Sequence, residues 1–136
     1  MQRFIRVASL ACFGVLLAAC GLFVTPAPTA TPVQSLAVTM WVEWPVLQYG
    51  REQTVHVYVN HKTGHVVRSA TVQGRIVMPD RTATALIFPV TDQDGYTSLT
   101  FPVPAAGQTR QMYTVTVDVA FLSHYGTARM EYEVRP

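Results

Sequence analysis

Three histidines stand close together in the chain, and imidazole is the commonest metal ligand among protein side chains. His56, His61 and His65 fall within ten residues, and Lys62-Thr63-Gly64 is the expected turn between the last two. Such a turn can bring His61 opposite His65, and two imidazoles with a third ligand would suit copper or zinc. Solvated histidines near a hairpin are the simpler interpretation, and metal binding stays open as the alternative.

Two tryptophans near the end of an alternating apolar segment could form a binding surface. Trp41 has the parity opposite to the apolar residues around it, so it faces away from the core that they predict. An exposed Trp41, with Trp44 and Tyr49, would offer a platform for a sugar ring or for an apolar patch of a partner. The other interpretation is that Trp41 packs under a loop and Trp44-Pro45 caps the core.

The residue types needed for catalysis are present without the required local pattern. A serine triad can be assembled only on paper, from Ser98 or Ser123 with Asp118 and His124. Neither serine stands on a strand-turn-helix elbow, and the chain has no glycine-rich phosphate loop and no Cys-x-x-Cys pair. We therefore expect no enzyme activity and no cofactor.

The segment Asp92-Gln93-Asp94-Gly95 places two carboxylates on a tight turn, which suits a calcium ion. The twelfth position of an EF-hand loop that begins at Asp92 is not a glutamate. A hairpin turn, in which aspartate bonds its own backbone and glycine takes a positive φ, explains the same residues.

The first 19 residues have the form of a cleaved secretory signal peptide. Arg3 and Arg6 precede thirteen uncharged residues, Val7 to Ala19. Leu17-Ala18-Ala19-Cys20-Gly21 resembles the bacterial lipobox, in which small residues give the peptidase access to the backbone before a cysteine. That resemblance implies that Cys20 receives diacylglycerol, that cleavage precedes it, and that palmitate or similar acyl chains anchor the protein in the membrane.

Two other fates of this segment stay open. First, the segment could stay uncleaved and act as a membrane anchor, because the uncharged run from Val7 to Val24 has 18 residues, the lower limit for crossing a bilayer. Cleavage elsewhere is the other, and it would leave Cys20 as a reactive thiol. Cys12 is a poorer lipidation site, because it leaves too short an apolar core before it, and we expect it to be removed with the signal peptide.

Residues 20–34 combine the lipidated cysteine with a linker rich in threonine and proline. Proline recurs at every second to fourth position of Thr25-Pro26-Ala27-Pro28-Thr29-Ala30-Thr31-Pro32. This spacing opposes helix and sheet ladders and favours extended polyproline II. We therefore expect a semi-rigid stalk between the membrane and a folded domain.

The charge of the processed protein argues against a nucleic-acid partner. Removing Arg3 and Arg6 from the ten Lys and Arg leaves eight, against eight Asp and Glu. Nucleic-acid binding depends on an excess of basic side chains, and a neutral domain lacks it.

Residues 35–136 form the predicted domain, and their apolar pattern has a period of two. The expected strands cover 36–43, 55–60, 71–78, 82–88, 99–103, 112–121 and 127–134. Turn signals of Gly, Pro and Asp separate them. Seven half-buried strands in about 100 residues predict an all-β, seven-stranded antiparallel Ig-like β-sandwich.

Four stretches of this domain resemble the Ig-like and macroglobulin-like modules of bacterial surface proteins. They are Pro45–Gly50 followed by Thr54–Val59, Gly64–Val72, Thr91–Phe101 and Tyr113–Val117. The sequence departs from those modules at Val66 and Ser69, where Pro and Gly are frequent, and at Arg81, where Gly is usual. The resemblance implies a spacer, adhesion or binding domain.

These observations predict a lipid-anchored protein on the extracytoplasmic face of a bacterial membrane, and on the outer membrane if the organism has one. Its membrane contact is the lipid on Cys20. Its domain is expected to be a non-catalytic binding or structural module for an envelope protein or a polysaccharide. The alternative function is extracytoplasmic copper or zinc binding through His61 and His65.

Overall fold

The computed structural model describes residues 33–103 and 109–136. Their nine strands are β1 Val33–Gln34, β2 Leu36–Val42, β3 Val46–Gln48, β4 Glu52–His61, β5 Thr71–Val77, β6 Ala83–Ile87, β7 Tyr96–Pro102, β8 Gln111–Phe121 and β9 His124–Arg135. No helix in these two ranges is long and apolar enough to cross a membrane. The predicted signal peptide, Cys20 and the linker up to Pro32 lie outside the described residues.

The strands form two sheets. The larger has the order β1-β9-β8-β5-β6, with β3 also on β9, and the smaller has the order β2-β4-β7. All neighbours are antiparallel except β1 and β3, which run parallel to β9. The predicted all-β fold in two sheets is confirmed.

The expected count of seven strands needs correction. Seven of the observed strands fall where the alternation places them, and β1 and β3 are additional. These two have two and three residues, which is too short to show a period of two. They form because the chain enters alongside β9, changes sheet for β2, and returns to β9 at β3.

The core lies between the inward faces of the two sheets. Its fully buried residues, at 0–2% exposure, include Val55, Val57 and Val59 of β4 and Val115, Val117 and Val119 of β8. Each such valine stabilises the fold by about 1.5–3 kcal/mol relative to leaving it in water. The alternation that buries these residues turns their sequence neighbours toward solvent on the same strands.

Two loop positions, Ser69 and Arg81, carry a side chain on a left-handed backbone. Ser69 has φ 56° and donates its backbone N–H to Thr91 O at 2.8 Å. Arg81 has φ 69° and donates its N–H to Met78 O at 2.9 Å. A left-handed residue with a Cβ costs about 1–2 kcal/mol. Backbone hydrogen bonds therefore hold both loops in a conformation that favours glycine.

Candidate functional site

Three ring side chains on the outward face of the smaller sheet form what we call the aromatic row: Trp41 on β2, His56 on β4 and Tyr96 on β7. Trp41 and His56 are direct partners in the register of β2 and β4. Val55 and Val57, which flank His56, are fully buried, so alternation places His56 and its partner on the solvent side. The register of the sheet therefore assembles the row from three distant parts of the sequence.

The rings of the aromatic row contact one another closely. The Trp41 and His56 centroids are 5.0 Å apart, with 11° between the ring planes. The Tyr96 centroid lies 6.0 Å from that of His56 and 6.2 Å from that of Trp41. A 2.6 Å hydrogen bond joins His56 Nδ1 to the Tyr96 hydroxyl. Stacking on one side and a hydrogen bond on the other thus hold the imidazole in one orientation.

The aromatic row remains accessible to a ligand. Trp41 is 42% exposed although it stacks on His56. Farther along the same face, the hydroxyls of Thr54 and Thr100 lie 2.9 Å apart and add polar groups. An apolar ring surface with an indole N–H and neighbouring hydroxyls can stack on a sugar ring or on an apolar patch of a protein.

Trp44 lies in the segment that crosses from the smaller sheet to the larger one. The fully buried amide of Gln53 holds this segment: Oε1 accepts from Trp44 N at 3.1 Å, and Nε2 donates to Trp44 O at 2.6 Å. Oε1 also accepts from Thr54 N at 3.1 Å. The Trp44 backbone is therefore fixed, while its side chain is 53% exposed.

Trp44 lines an open cleft of about 480 Å³ together with Val46 of β3, Arg51 of the β3–β4 turn and Glu52 of β4. Tyr49 follows β3 on the edge of the larger sheet, where its backbone N–H donates to Arg135 O at 2.8 Å. Its hydroxyl donates to Thr109 O at 2.6 Å. The cleft is partly lined by β3, at the edge of the larger sheet, and none of its lining residues belongs to the aromatic row.

The structure places two of the three residues of the expected platform, Trp41 and Tyr49, on different sheets. Trp41 lies on the smaller sheet, and Tyr49 lies on the edge of the larger one. The ring partners of Trp41 are instead His56 and Tyr96, which sequence reasoning missed. The available signal was the outward parity of all three residues, but only the strand register shows that they are adjacent.

The three neighbouring histidines lie in different surroundings. His56 belongs to the aromatic row, and the His65 side chain is exposed in the turn after β4. His61 ends β4, where its ring lies 5.3 Å from that of His124 and 6.2 Å from that of Phe121. Within 33–103 and 109–136, no three His, Cys, Asp or Glu side chains are grouped to hold a metal ion.

The Asp92 carboxylate is used by its own turn. Its Oδ1 accepts the backbone N–H groups of Asp94 and Tyr96, each at 2.9 Å. Gly95 takes φ 75° and donates its N–H to Asp92 O at 3.2 Å. The predicted aspartate–backbone bonds and the positive φ of the glycine are present, but the turn is not a hairpin, because β6 and β7 on either side of it lie in different sheets. The turn fixes the start of β7 and therefore the position of Tyr96.

The residues considered for a serine triad lie in different parts of the sandwich. Asp118 is exposed on β8 of the larger sheet, and Ser98 is on β7 of the smaller one, opposite His56 in the register. His124 begins β9 and has the Ser35 hydroxyl at 2.5 Å from its Nδ1. The sequence neighbour Ser123 is exposed in the turn before it.

Glu133 is a buried carboxylate that pairs with two arginines. Its side chain is 9% exposed, and it pairs with Arg110 at 2.6 Å and with Arg135. The hydrogen bond from Arg135 and the charges of both arginines lower the pKa of Glu133, although burial acts in the opposite direction. Both ion pairs lie at the carboxyl end of β9, where it pairs with β3.

No protein-family model and no curated protein matches the chain. Three solved structures are similar to it. A DUF4426 family protein from Pseudomonas aeruginosa PAO1 is 19% identical, with a TM-score of 0.52, and the match covers 75% of this chain and 92% of that one. The ZirS C-terminal domain is 12% identical, with a TM-score of 0.55 and coverage of 100% and 86%. The Lin-41 filamin domain is 11% identical, with a TM-score of 0.51 and coverage of 79% and 98%.

At these identities the similarity shows the fold alone. A filamin domain among the matches agrees with the Ig-like sandwich that the strand pattern predicts. The matched fold supports many unrelated functions, so the function has to be argued from the surfaces of this chain.

Proposed function

We propose that the protein is a lipid-anchored extracytoplasmic lipoprotein whose β-sandwich is a non-catalytic binding module of the cell envelope. The lipobox-like segment ending at Cys20 and the Thr/Pro-rich linker support the anchor. The sandwich begins at Val33, two residues before the expected start of the domain, and directly follows the last proline of the linker, which supports a domain held away from the membrane surface. The partner is an envelope protein or a polysaccharide.

The observation that carries the binding role is the accessible, ordered aromatic row. A tryptophan that stays 42% exposed on a sheet face does not serve the core, yet its ring is positioned by His56 and, through it, by Tyr96. Tryptophan and tyrosine contribute most of the binding energy at many interfaces, and a preordered surface loses little entropy on binding. The aromatic row is therefore the surface through which the domain contacts its partner.

Photo-crosslinking in intact cells tests the binding role. A crosslinker is placed at Thr39, which is exposed on the outward face of β2, and partner capture is compared between wild type, Trp41→Ala and Trp44→Ala. We expect Trp41→Ala to reduce the crosslinked product about tenfold or more, and Trp44→Ala to leave it within about twofold. Equal capture by wild type and Trp41→Ala would contradict the proposal.

A co-sedimentation assay with insoluble cell-wall polysaccharide from the same organism identifies the class of partner. Sedimentation that depends on Trp41 indicates a glycan. Its absence, together with a Trp41-dependent crosslink to a protein, indicates an envelope protein. Failure of both assays would leave the aromatic row without a binding role.

Metabolic labelling with radioactive palmitate tests the anchor separately. We expect Cys20→Ser to abolish labelling and to release the protein from the membrane fraction or leave an unprocessed precursor. Cys12→Ser is the matched control, because this cysteine also lies in the amino-terminal segment, and it should keep full labelling. Labelling that survives in Cys20→Ser would show that the anchor is elsewhere.

A further inference from the structure

A second cluster lies at the end of the sandwich where β4 ends and β9 begins, and it has no part in the proposed partner binding. His61 is the last residue of β4, and His124 is the first of β9. Ser35 lies between them, because its neighbours Gln34 and Leu36 pair with β9 and with His61, respectively. The cluster therefore joins the two sheets at the point where the chain enters the domain.

We propose that His61 and His124 together bind one divalent transition-metal ion of the zinc and copper class. Their ring centroids are 5.3 Å apart, and their planes are 89° to each other. Two zinc–nitrogen bonds of about 2.0–2.1 Å at a tetrahedral angle put the centroids of the bound imidazoles about 5 Å apart. The observed centroid spacing therefore matches that of two imidazoles on one ion, and the edge-to-face rings must rotate to turn one nitrogen of each toward it.

Ser35 orients one of the two ligands. Its hydroxyl oxygen lies 2.5 Å from His124 Nδ1. In the tautomer that donates this hydrogen bond, Nδ1 carries the proton and Nε2 keeps a lone pair for the metal. Histidine ligands are commonly fixed in this way by a partner on the other ring nitrogen. The backbone N–H of Lys62, which donates to Ser35 O at 3.0 Å, holds the serine in place.

The site provides two protein ligands, and water fills the remaining positions. Among the described residues no third His, Cys, Asp or Glu completes the group, so binding in the micromolar range is expected. Neutral imidazoles favour Cu²⁺ over Zn²⁺ in the order common to first-row divalent metals. A bound ion would link β4 of the smaller sheet to β9 of the larger one, and this link stabilises the folded domain.

This site differs from the one expected from the sequence, in which His65 was the second ligand. His65 contacts His61 through the backbone, where its carbonyl accepts the His61 N–H at 2.8 Å. His124 is 63 positions away in the chain, and only the meeting of β4 with the β8–β9 turn brings it near His61.

Calorimetric titration of the full chain in detergent with ZnCl₂ and with CuCl₂ tests the proposal. We expect one ion per chain, tighter binding of Cu²⁺, and an unfolding temperature that rises with metal concentration. His61→Gln and His124→Gln should each weaken binding about tenfold or more, and Ser35→Ala should weaken it about tenfold through its effect on His124.

The remaining two histidines are the controls. His56→Gln and His65→Gln should change the affinity less than about threefold. Unfolding temperatures of the variants without metal show that the variants are folded. An absence of binding by the wild type at millimolar metal, or binding that depends on His65 and not on His124, would overturn the proposal. So would binding that survives the replacement of both His61 and His124.

Discussion

Aromatic side chains stack both in the core of this sandwich and on the outer face of its smaller sheet, and the two groups are held in place differently. Inside, Tyr113 and Tyr132 stack at 5.7 Å and are 0–1% exposed. Outside, Trp41 stacks on His56 at 5.0 Å, and Tyr96 completes the row with a hydrogen bond. Burial and packing order the inner pair. The outer row is ordered by ring stacking and a hydrogen bond on a face that solvent reaches.

This difference separates stability from recognition. Contacts of the inner pair remove ring surface from water, which is the main stabilising contribution in a protein core. Contacts of the outer row remove less surface, but they fix the shape of an accessible ring. Substitutions inside should therefore change the free energy of unfolding, and substitutions outside should change partner binding.

Tyr113→Ala should have the largest effect on stability. Deleting a fully buried ring leaves a cavity in the core beneath β8 and β9, and the expected loss is about 3–5 kcal/mol of the free energy of unfolding. Urea unfolding followed by tryptophan fluorescence measures it. Trp41→Ala is the matched deletion on the outer face and should cost less than about 1 kcal/mol. Similar losses in the two variants would remove the distinction between the faces.

Gln53→Ala should follow, because the amide is inside and bonds three backbone groups. Its removal leaves Trp44 N, Trp44 O and Thr54 N without that partner, and a buried unpaired group costs about 1–3 kcal/mol. We expect a loss of about 2 kcal/mol or more in urea unfolding. Gln73→Ala, on the exposed face of β5, is the control and should stay within about 0.5 kcal/mol of wild type.

Glu133→Gln should change the pH dependence of stability. The pKa of Glu133 is lowered in the folded protein, mainly by the Arg135 hydrogen bond, so its contribution is present above the unfolded pKa of about 4.3. That contribution is lost as the pH falls through the lowered folded value. The stability difference between wild type and Glu133→Gln should therefore be larger at pH 6 than at pH 2. A difference that does not vary with pH would contradict this ion-pair contribution.

The sequence predicts strand positions well and contacts between strands poorly. The segment 36–43 was expected as a strand and β2 is Leu36–Val42, because alternating burial is a local pattern. The short strands β1 and β3 do not show that pattern, because they are strands only by virtue of their pairing with β9. The outward direction of Trp41 follows from parity alone, and its exposure agrees with it.

The neighbours of Trp41 and of His61 could not be predicted in the same way. His56 and Tyr96 meet Trp41 because β2, β4 and β7 pair in one register, and a shift by one residue would turn each ring inward. His124 meets His61 across the end of the sandwich. Such contacts depend on the global arrangement of strands, which local periodicity does not contain.

Tyr96→Phe should have a small effect on stability and a clear effect on recognition. It keeps the ring but removes the 2.6 Å hydrogen bond that orients His56, at a cost of about 0.5–1.5 kcal/mol. Partner crosslinking should fall several-fold because His56, and with it Trp41, loses a fixed orientation. Tyr58→Phe makes the same change on the neighbouring strand β4, on the same outward face of the smaller sheet, and it should preserve crosslinking. Equal capture by both variants would show that the order of the row has no role in binding.

Tyr132→Phe should have the smallest effect, and it is the same chemical change made inside. Among the described residues the Tyr132 hydroxyl has no hydrogen-bond partner, so its removal should leave stability unchanged or raise it by about 1 kcal/mol. Burial raises the pKa of Tyr132, and the neighbouring Tyr113 adds to the shift. The folded protein therefore loses stability as the pH rises above the unfolded tyrosine pKa of about 10.

Tyr132→Phe should remove that alkaline loss, which urea unfolding at pH 8 and pH 11 measures. A loss of 1 kcal/mol or more at pH 8, with no change in the alkaline slope, would show that the buried hydroxyl is bonded after all. If the prediction holds, the half-buried Tyr96 hydroxyl contributes more to stability than the fully buried Tyr132 hydroxyl does. Such an inversion would agree with the proposed use of the outer face for partner binding.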